Sequence, residues 1–112
     1  MNSREIVNYV EIAAGESAYE MYSEYKSTWQ VWDEKFSKAI KEMKSKRVKD
    51  IGGALADKIY NDKGFLCDMI GDKVYESGSN KDERLKILAE LKEMRNFDTW
   101  REAIKELEEN IT

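Results

Sequence analysis

The chain has 112 residues, of which 38% are charged and 41% hydrophobic, and its formal net charge is −4. This composition argues against a disordered chain, because the apolar residues recur with regular spacing. The acidic balance argues against general nucleic-acid binding, which requires a positive surface.

The residue types predict an all-α fold. The sequence contains no proline, the residue that most strongly disrupts helix interiors. Good helix formers are frequent, and no run alternates between β-branched and polar residues. We therefore predict about six helices in a single domain, 1–112.

The first helix begins with a capping box, in which Asn2 precedes Glu5 by three residues. Gly15 could end this helix, and a second helix would then span about 17–47. The apolar positions also keep helical phase through Gly15, and one glycine costs only ~1 kcal/mol inside a helix. One bent helix from residue 3 to about 47 is therefore an alternative.

A heptad row of mostly aromatic residues, here named the aromatic stripe, lies on one face of the predicted long helix. Its members step by four and three residues in strict alternation: Ala18, Tyr22, Tyr25, Trp29, Trp32, Phe36, Ala39 and Met43. A second capping box at Ser27 and Gln30 is the alternative that would interrupt the stripe.

The length of this helix suggests an interface. Thirty residues of helix extend ~45 Å, whereas a compact domain of this length is roughly 34 Å across. Large side chains left in water would form a patch typical of binding surfaces. The residues predicted to bind a partner or a second copy are Tyr22, Tyr25, Trp29, Trp32, Phe36 and Met43.

Charge gives the predicted interface a direction. Residues 1–34 carry two basic and seven acidic side chains, a sum of −5, and residues 35–49 carry seven basic and one acidic, a sum of +6. An antiparallel homodimer with its axis near Trp29 and Trp32 would pair opposite charges. Two plainer interpretations stay open: the stripe is intrachain core, and the charge gradient complements the helix dipole.

Shorter helices follow. We predict a third helix over 49–60, where a double glycine could be a hinge, then a turn at 61–64 and a fourth helix over 65–76. Residues 77–80 form the clearest loop.

The last two helices are predicted to form a hairpin. Asn80 with Glu83 opens the fifth helix, and Thr99 with Glu102 opens the sixth. Phe97 is expected to fill the corner between them. The expected inward positions are Leu85, Leu88, Leu91 and Met94 in the fifth helix, and Trp100, Ile104, Leu107 and Ile111 in the sixth.

No pattern of residues predicts catalysis, a metal or a cofactor. Histidine is absent and Cys67 is the only cysteine, so the commonest general base and the usual zinc ligands are missing. Cys67 lies among apolar residues and fits a small packed side chain better than a nucleophile. Glu16, Glu20 and Glu24 share one helix face, which we interpret as a solvated acidic face and not as a metal site. The same face is a candidate surface for a basic protein partner. We predict a non-enzyme.

The expected location is the cytoplasm. A single free thiol suits a reducing compartment, the N-terminal segment lacks the apolar core of a signal peptide, and no apolar run is long enough to cross a membrane.

Two functions fit these patterns. The first is a protein-interaction module, such as an adaptor, an assembly subunit or an inhibitor of the kind that phages and mobile elements encode. The second is a dimeric DNA-binding regulator that uses the basic stretch 35–49. Its phosphate contacts would come from Lys38, Lys41, Lys44, Lys46 and Arg47. The acidic balance favours the first.

Overall fold

The computed structural model describes residues 1–24, 53 and 55–112, with the backbone alone at 19 and 21–24. Every regular element among these residues is an α-helix, which confirms the all-α prediction. The helices are α1 (Ser3–Glu24), whose last described residue is Glu24, α2 (Lys63–Ser77), α3 (Lys81–Met94) and α4 (Asp98–Ile111). Residues 55–60 are also helical.

The chain divides into two compact units. The first comprises Met1–Val10 and Asn61–Thr112, and the second comprises Glu11–Tyr60. Most of the second unit lies outside the described residues, so the number of domains stays a prediction.

The helix α1 begins with the predicted capping box. The Asn2 side chain accepts a hydrogen bond from the Glu5 amide at 2.9 Å, and the Asn2 amide donates to the Glu5 carboxylate at 3.4 Å. Of the two alternatives at Gly15, the continuous helix is the one that forms, because α1 runs through Gly15 as far as Glu24. Gly15 and its neighbour Ala14 are buried, and burial of this face offsets the ~1 kcal/mol cost of one helical glycine. The continuation beyond Glu24 lies outside the described residues.

The first unit consists of three helices, α2, α3 and α4, together with the first residues of α1. Its helices α2, α3 and α4 all contact one another. Gly71 of α2 allows a close approach to α4, since a Cβ atom there would lie 3.2 Å from Leu107. The buried apolar side chains of this unit are Ile6, Val7, Val10, Leu66, Ile70, Val74, Leu88, Leu91, Phe97, Trp100, Ala103, Ile104 and Leu107.

The start of α1 is attached to the other helices of this unit by two polar contacts. The Ser3 hydroxyl donates to Glu90 of α3. Lys73 of α2 places its ammonium 4.4 Å from the centre of the Tyr9 ring, and its hydrogen bond to Glu76 raises the Lys73 pKa.

Side-chain caps begin α2 and α3. Asp62 accepts a hydrogen bond from the Phe65 amide at 2.9 Å, so α2 begins at Lys63, two residues before the predicted start. Asn80 accepts from the Glu83 amide at 2.9 Å, as predicted. The Glu83 carboxylate accepts in return from the amide of Ser79 at 2.7 Å.

Arg84 closes the C-terminal end of α2. Its guanidinium donates to the carbonyl oxygens of Gly78 at 3.1 Å and Tyr75 at 3.4 Å, and it lies 4.6 Å from the centre of the Tyr75 ring. A Cβ atom at Gly78 would approach Arg84 Cγ to 2.7 Å, which explains the glycine at this position.

The predicted start of the last helix is wrong. It begins at Asp98 with Phe97 in the N-cap position and no side-chain cap, so Thr99 lies inside the first turn. Phe97 and Trp100 are both buried, and their ring centres are 5.9 Å apart. Burying two such rings stabilises the fold by about 1.5–3 kcal/mol each, more than the ~1 kcal/mol of a threonine cap.

The hairpin of α3 and α4 is confirmed. The Trp100 indole donates a 2.8 Å hydrogen bond to the carbonyl of Leu91, one of the last four residues of α3, whose carbonyls have no partner within the helix. Phe97 fills the corner, as predicted. Three of the eight positions predicted to point inward are only half-buried: Leu85, Met94 and Ile111.

Candidate functional site

The acidic face of α1 is partly described. Glu16 and Glu20 are exposed and lie four residues apart, so both occupy one solvent-facing side of the helix. Glu24 also lies in α1, and its side chain is outside the described residues. The described part of this face is therefore a pair of solvated carboxylates.

The opposite side of α1 carries the first member of the aromatic stripe. Ala18 is buried, and so is Ala14, one turn before it. The stripe therefore starts on the inward face of α1, which favours the intrachain-core interpretation at that point. Tyr22 lies in α1, and its side chain is outside the described residues.

The other residues predicted to bind a partner or phosphate lie outside the described part of the chain. They are Tyr25, Trp29, Trp32, Phe36 and Met43 of the stripe, and Lys38, Lys41, Lys44, Lys46 and Arg47 of the basic stretch. Both groups stay predictions.

Cys67, which the sequence offers as a candidate nucleophile, contacts two residues of α4. Its thiol lies 3.0 Å from a carboxylate oxygen of Glu106 and 3.8 Å from the carbonyl of Ala103. Burial, the hydrogen bond to Glu106 and the charge of Glu106 raise the Cys67 pKa from 9.0 to about 12. Because the thiolate is the reactive form, this thiol is a poor nucleophile at neutral pH. Cys67 is half-buried, more accessible than the packed residue that the sequence predicted.

A shallow charged cleft of about 240 Å³ lies beside Cys67. Its lining is Lys63, Glu102, Lys105, Glu106 and Glu109. The Lys63 ammonium lies 3.8 Å from the Glu106 carboxylate. This ion pair is weak because both side chains are about half exposed to solvent. Small-molecule sites are mostly apolar and larger, so this cleft does not have the character of a substrate pocket.

Exposed carboxylates also run along α2. Asp68, Asp72 and Glu76 are all exposed and lie four residues apart, and the Tyr75 ring beside them is 45% exposed. These carboxylates would repel a phosphate backbone, so α2 has the wrong charge for a DNA recognition helix.

The second unit contains a buried polar pair that the sequence did not reveal. Glu11 and Tyr60 are both fully buried, and the Tyr60 hydroxyl donates to the Glu11 carboxylate at 3.2 Å. Buried carboxylates require hydrogen-bond partners, so this pair fits a structural role. Forty-nine positions separate the two residues, and no local spacing rule could have joined them.

The described residues contain neither a cluster of metal ligands nor a helix suited to crossing a membrane. No group of three or more cysteine and acidic side chains there has the arrangement of a metal site. None of the helices described combines the length and hydropathy that crossing a membrane requires.

No known family matches this sequence, and neither a curated protein nor a solved structure is significantly similar to it.

Proposed function

We propose that this protein is a non-catalytic interaction module that binds another protein through the aromatic stripe and the acidic face of α1. The observation that carries the proposal is the division of α1 into two faces. Glu16 and Glu20 are exposed on one side, and Ala14 and Ala18 are buried on the other. This division supports the acidic face as a binding surface, whereas a binding role for the stripe beyond Ala18 is proposed from the sequence alone.

The restrained thiol supports a non-catalytic role. The raised pKa of Cys67 keeps the only cysteine protonated at neutral pH. Without histidine, the remaining candidate acids and bases are carboxylates, lysines and tyrosines. Those in the cleft beside Cys67 line a shallow surface with no apolar enclosure.

The acidic face is tested by comparing two variants that each remove two negative charges, one from α1 and one from α2. A double variant Glu16→Gln and Glu20→Gln removes two exposed charges from α1. The control, Asp68→Asn with Asp72→Asn, removes two from α2. Each protein is used to capture partners from the native host's lysate, and bound species are measured by native mass spectrometry.

We expect the α1 variant to lose a partner that the wild type and the α2 control both retain. Equal retention by all three proteins would contradict a role for the acidic face. Equal loss in both variants would indicate a general charge effect instead.

We further propose that the stripe mediates an antiparallel homodimer. The support is the sequence gradient from −5 over residues 1–34 to +6 over residues 35–49. Sedimentation should give a dimer at tens of micromolar protein. Trp29→Ala and Trp32→Ala should each produce a folded monomer, whereas Tyr75→Ala, an exposed aromatic outside the stripe, should stay dimeric.

Two results would overturn the homodimer. A wild-type monomer at that concentration contradicts it directly. Loss of helical circular dichroism in both tryptophan variants would show that the stripe is intrachain core. An adaptor, an assembly subunit and an inhibitor all remain within the proposed module, and a cytoplasmic location is consistent with its free thiol.

The alternative is a dimeric DNA-binding regulator, favoured by the net +6 of residues 35–49. A gel-shift titration against salt distinguishes it. Binding through the lysines should weaken steeply as salt rises, and an affinity that is independent of salt would exclude this mode. The exposed carboxylates on α2 lead us to expect no binding at physiological salt.

A further inference from the structure

We draw no further inference here: the strongest candidate, the row of exposed carboxylates on α2 formed by Asp68, Asp72 and Glu76 beside the exposed Tyr75 ring, is an acidic surface patch, and nothing in the described residues shows what covers it.

Discussion

The helices α3 and α4 have the same length of 14 residues but begin in different ways. Asn80 caps α3 through its own side chain, and its partner Glu83 is three residues away. The start of α4 has no side-chain cap, and the buried ring of Phe97 occupies the N-cap position. One helix start is stabilised by a local hydrogen bond, and the other by packing within the helical hairpin.

The two helices also differ in what they bury. Two residues of α3 are buried, Leu88 and Leu91. Four residues of α4 are buried, and Trp100 is the largest of them. Because α4 contacts both α2 and α3, its position depends on side chains from other helices. Variants at the start of α4 should therefore cost more stability than removal of the α3 cap.

The largest effect is expected at Trp100. Trp100→Ala should lower the free energy of unfolding by about 4 kcal/mol, because it removes a fully buried ring and the donor to Leu91. Urea unfolding followed by circular dichroism measures the loss.

Trp100→Phe is the matched variant that retains a ring but removes the indole N–H. We expect a loss of about 1–3 kcal/mol from the unsatisfied carbonyl of Leu91 and the smaller ring. A stability equal to that of wild type would contradict a role for this hydrogen bond in joining α3 to α4.

Phe97 is expected to come second. Phe97→Ala should reduce the free energy of unfolding by about 3 kcal/mol, since the ring is 94% buried against Trp100. Phe97→Leu should restore much of the loss, because it keeps an apolar side chain in the corner. If Phe97→Ala proves no more harmful than loss of the α3 cap, then packing does not determine where α4 begins.

The two predicted caps form a third test. Asn80→Ala should lower the unfolding free energy by about 1 kcal/mol, and Asn80→Asp should be close to wild type because its carboxylate can accept the same hydrogen bond. Thr99→Ala should change stability by less than about 0.5 kcal/mol, because Thr99 lies inside the first turn. Equal losses at both sites would contradict the difference between the two helix starts.

The smallest effect on stability is expected at Glu106, a half-buried residue of α4 that contacts Cys67 of α2. Burial contributes most to the raised Cys67 pKa, and the hydrogen bond and charge of Glu106 add to it. Glu106→Gln removes that charge, so alkylation of the thiol should accelerate at alkaline pH. Glu109→Gln removes one charge from the same cleft without contacting the thiol, and it should leave the rate close to wild type. An unchanged rate in Glu106→Gln would show that burial alone protects Cys67.

The raised pKa also gives the direction of a pH effect. In the unfolded chain the thiol releases its proton near pH 9, whereas in the folded chain it keeps the proton to about pH 12. The unfolded state therefore binds fewer protons between these values, and stability should fall as pH rises through that window. Cys67→Ser should reduce the slope of this decline.

Local spacing predicted the helix starts that depend on local bonds. Asn2 and Asn80 each accept the predicted hydrogen bond from the amide three residues on. The reciprocal bond of a capping box forms at Asn2, whereas the Glu83 carboxylate accepts from Ser79 instead.

The capping rule predicted the wrong start at Thr99, because burial of the Phe97 and Trp100 rings stabilises the observed start by more than a threonine cap would. Spacing left a break at Gly15 and a continuous helix both open, and burial around Gly15 favours the continuous helix.

For the candidate site, too, spacing predicted the local arrangement but not the contacts between distant residues. Spacing alone placed Glu16 and Glu20 on one helix face, and both are exposed. It gave no indication that Glu106 would hold the Cys67 thiol, because 39 positions separate the two residues.

The sequence alone therefore determined the all-α class, the polar helix caps and the face of α1 that carries its acids. These follow from interactions within one or two helical turns. Only the tertiary structure decided where α4 begins, which atom restrains Cys67 and which tyrosine meets the buried Glu11. Those contacts join residues that are distant in the chain, and their geometry depends on how the helices pack within each unit.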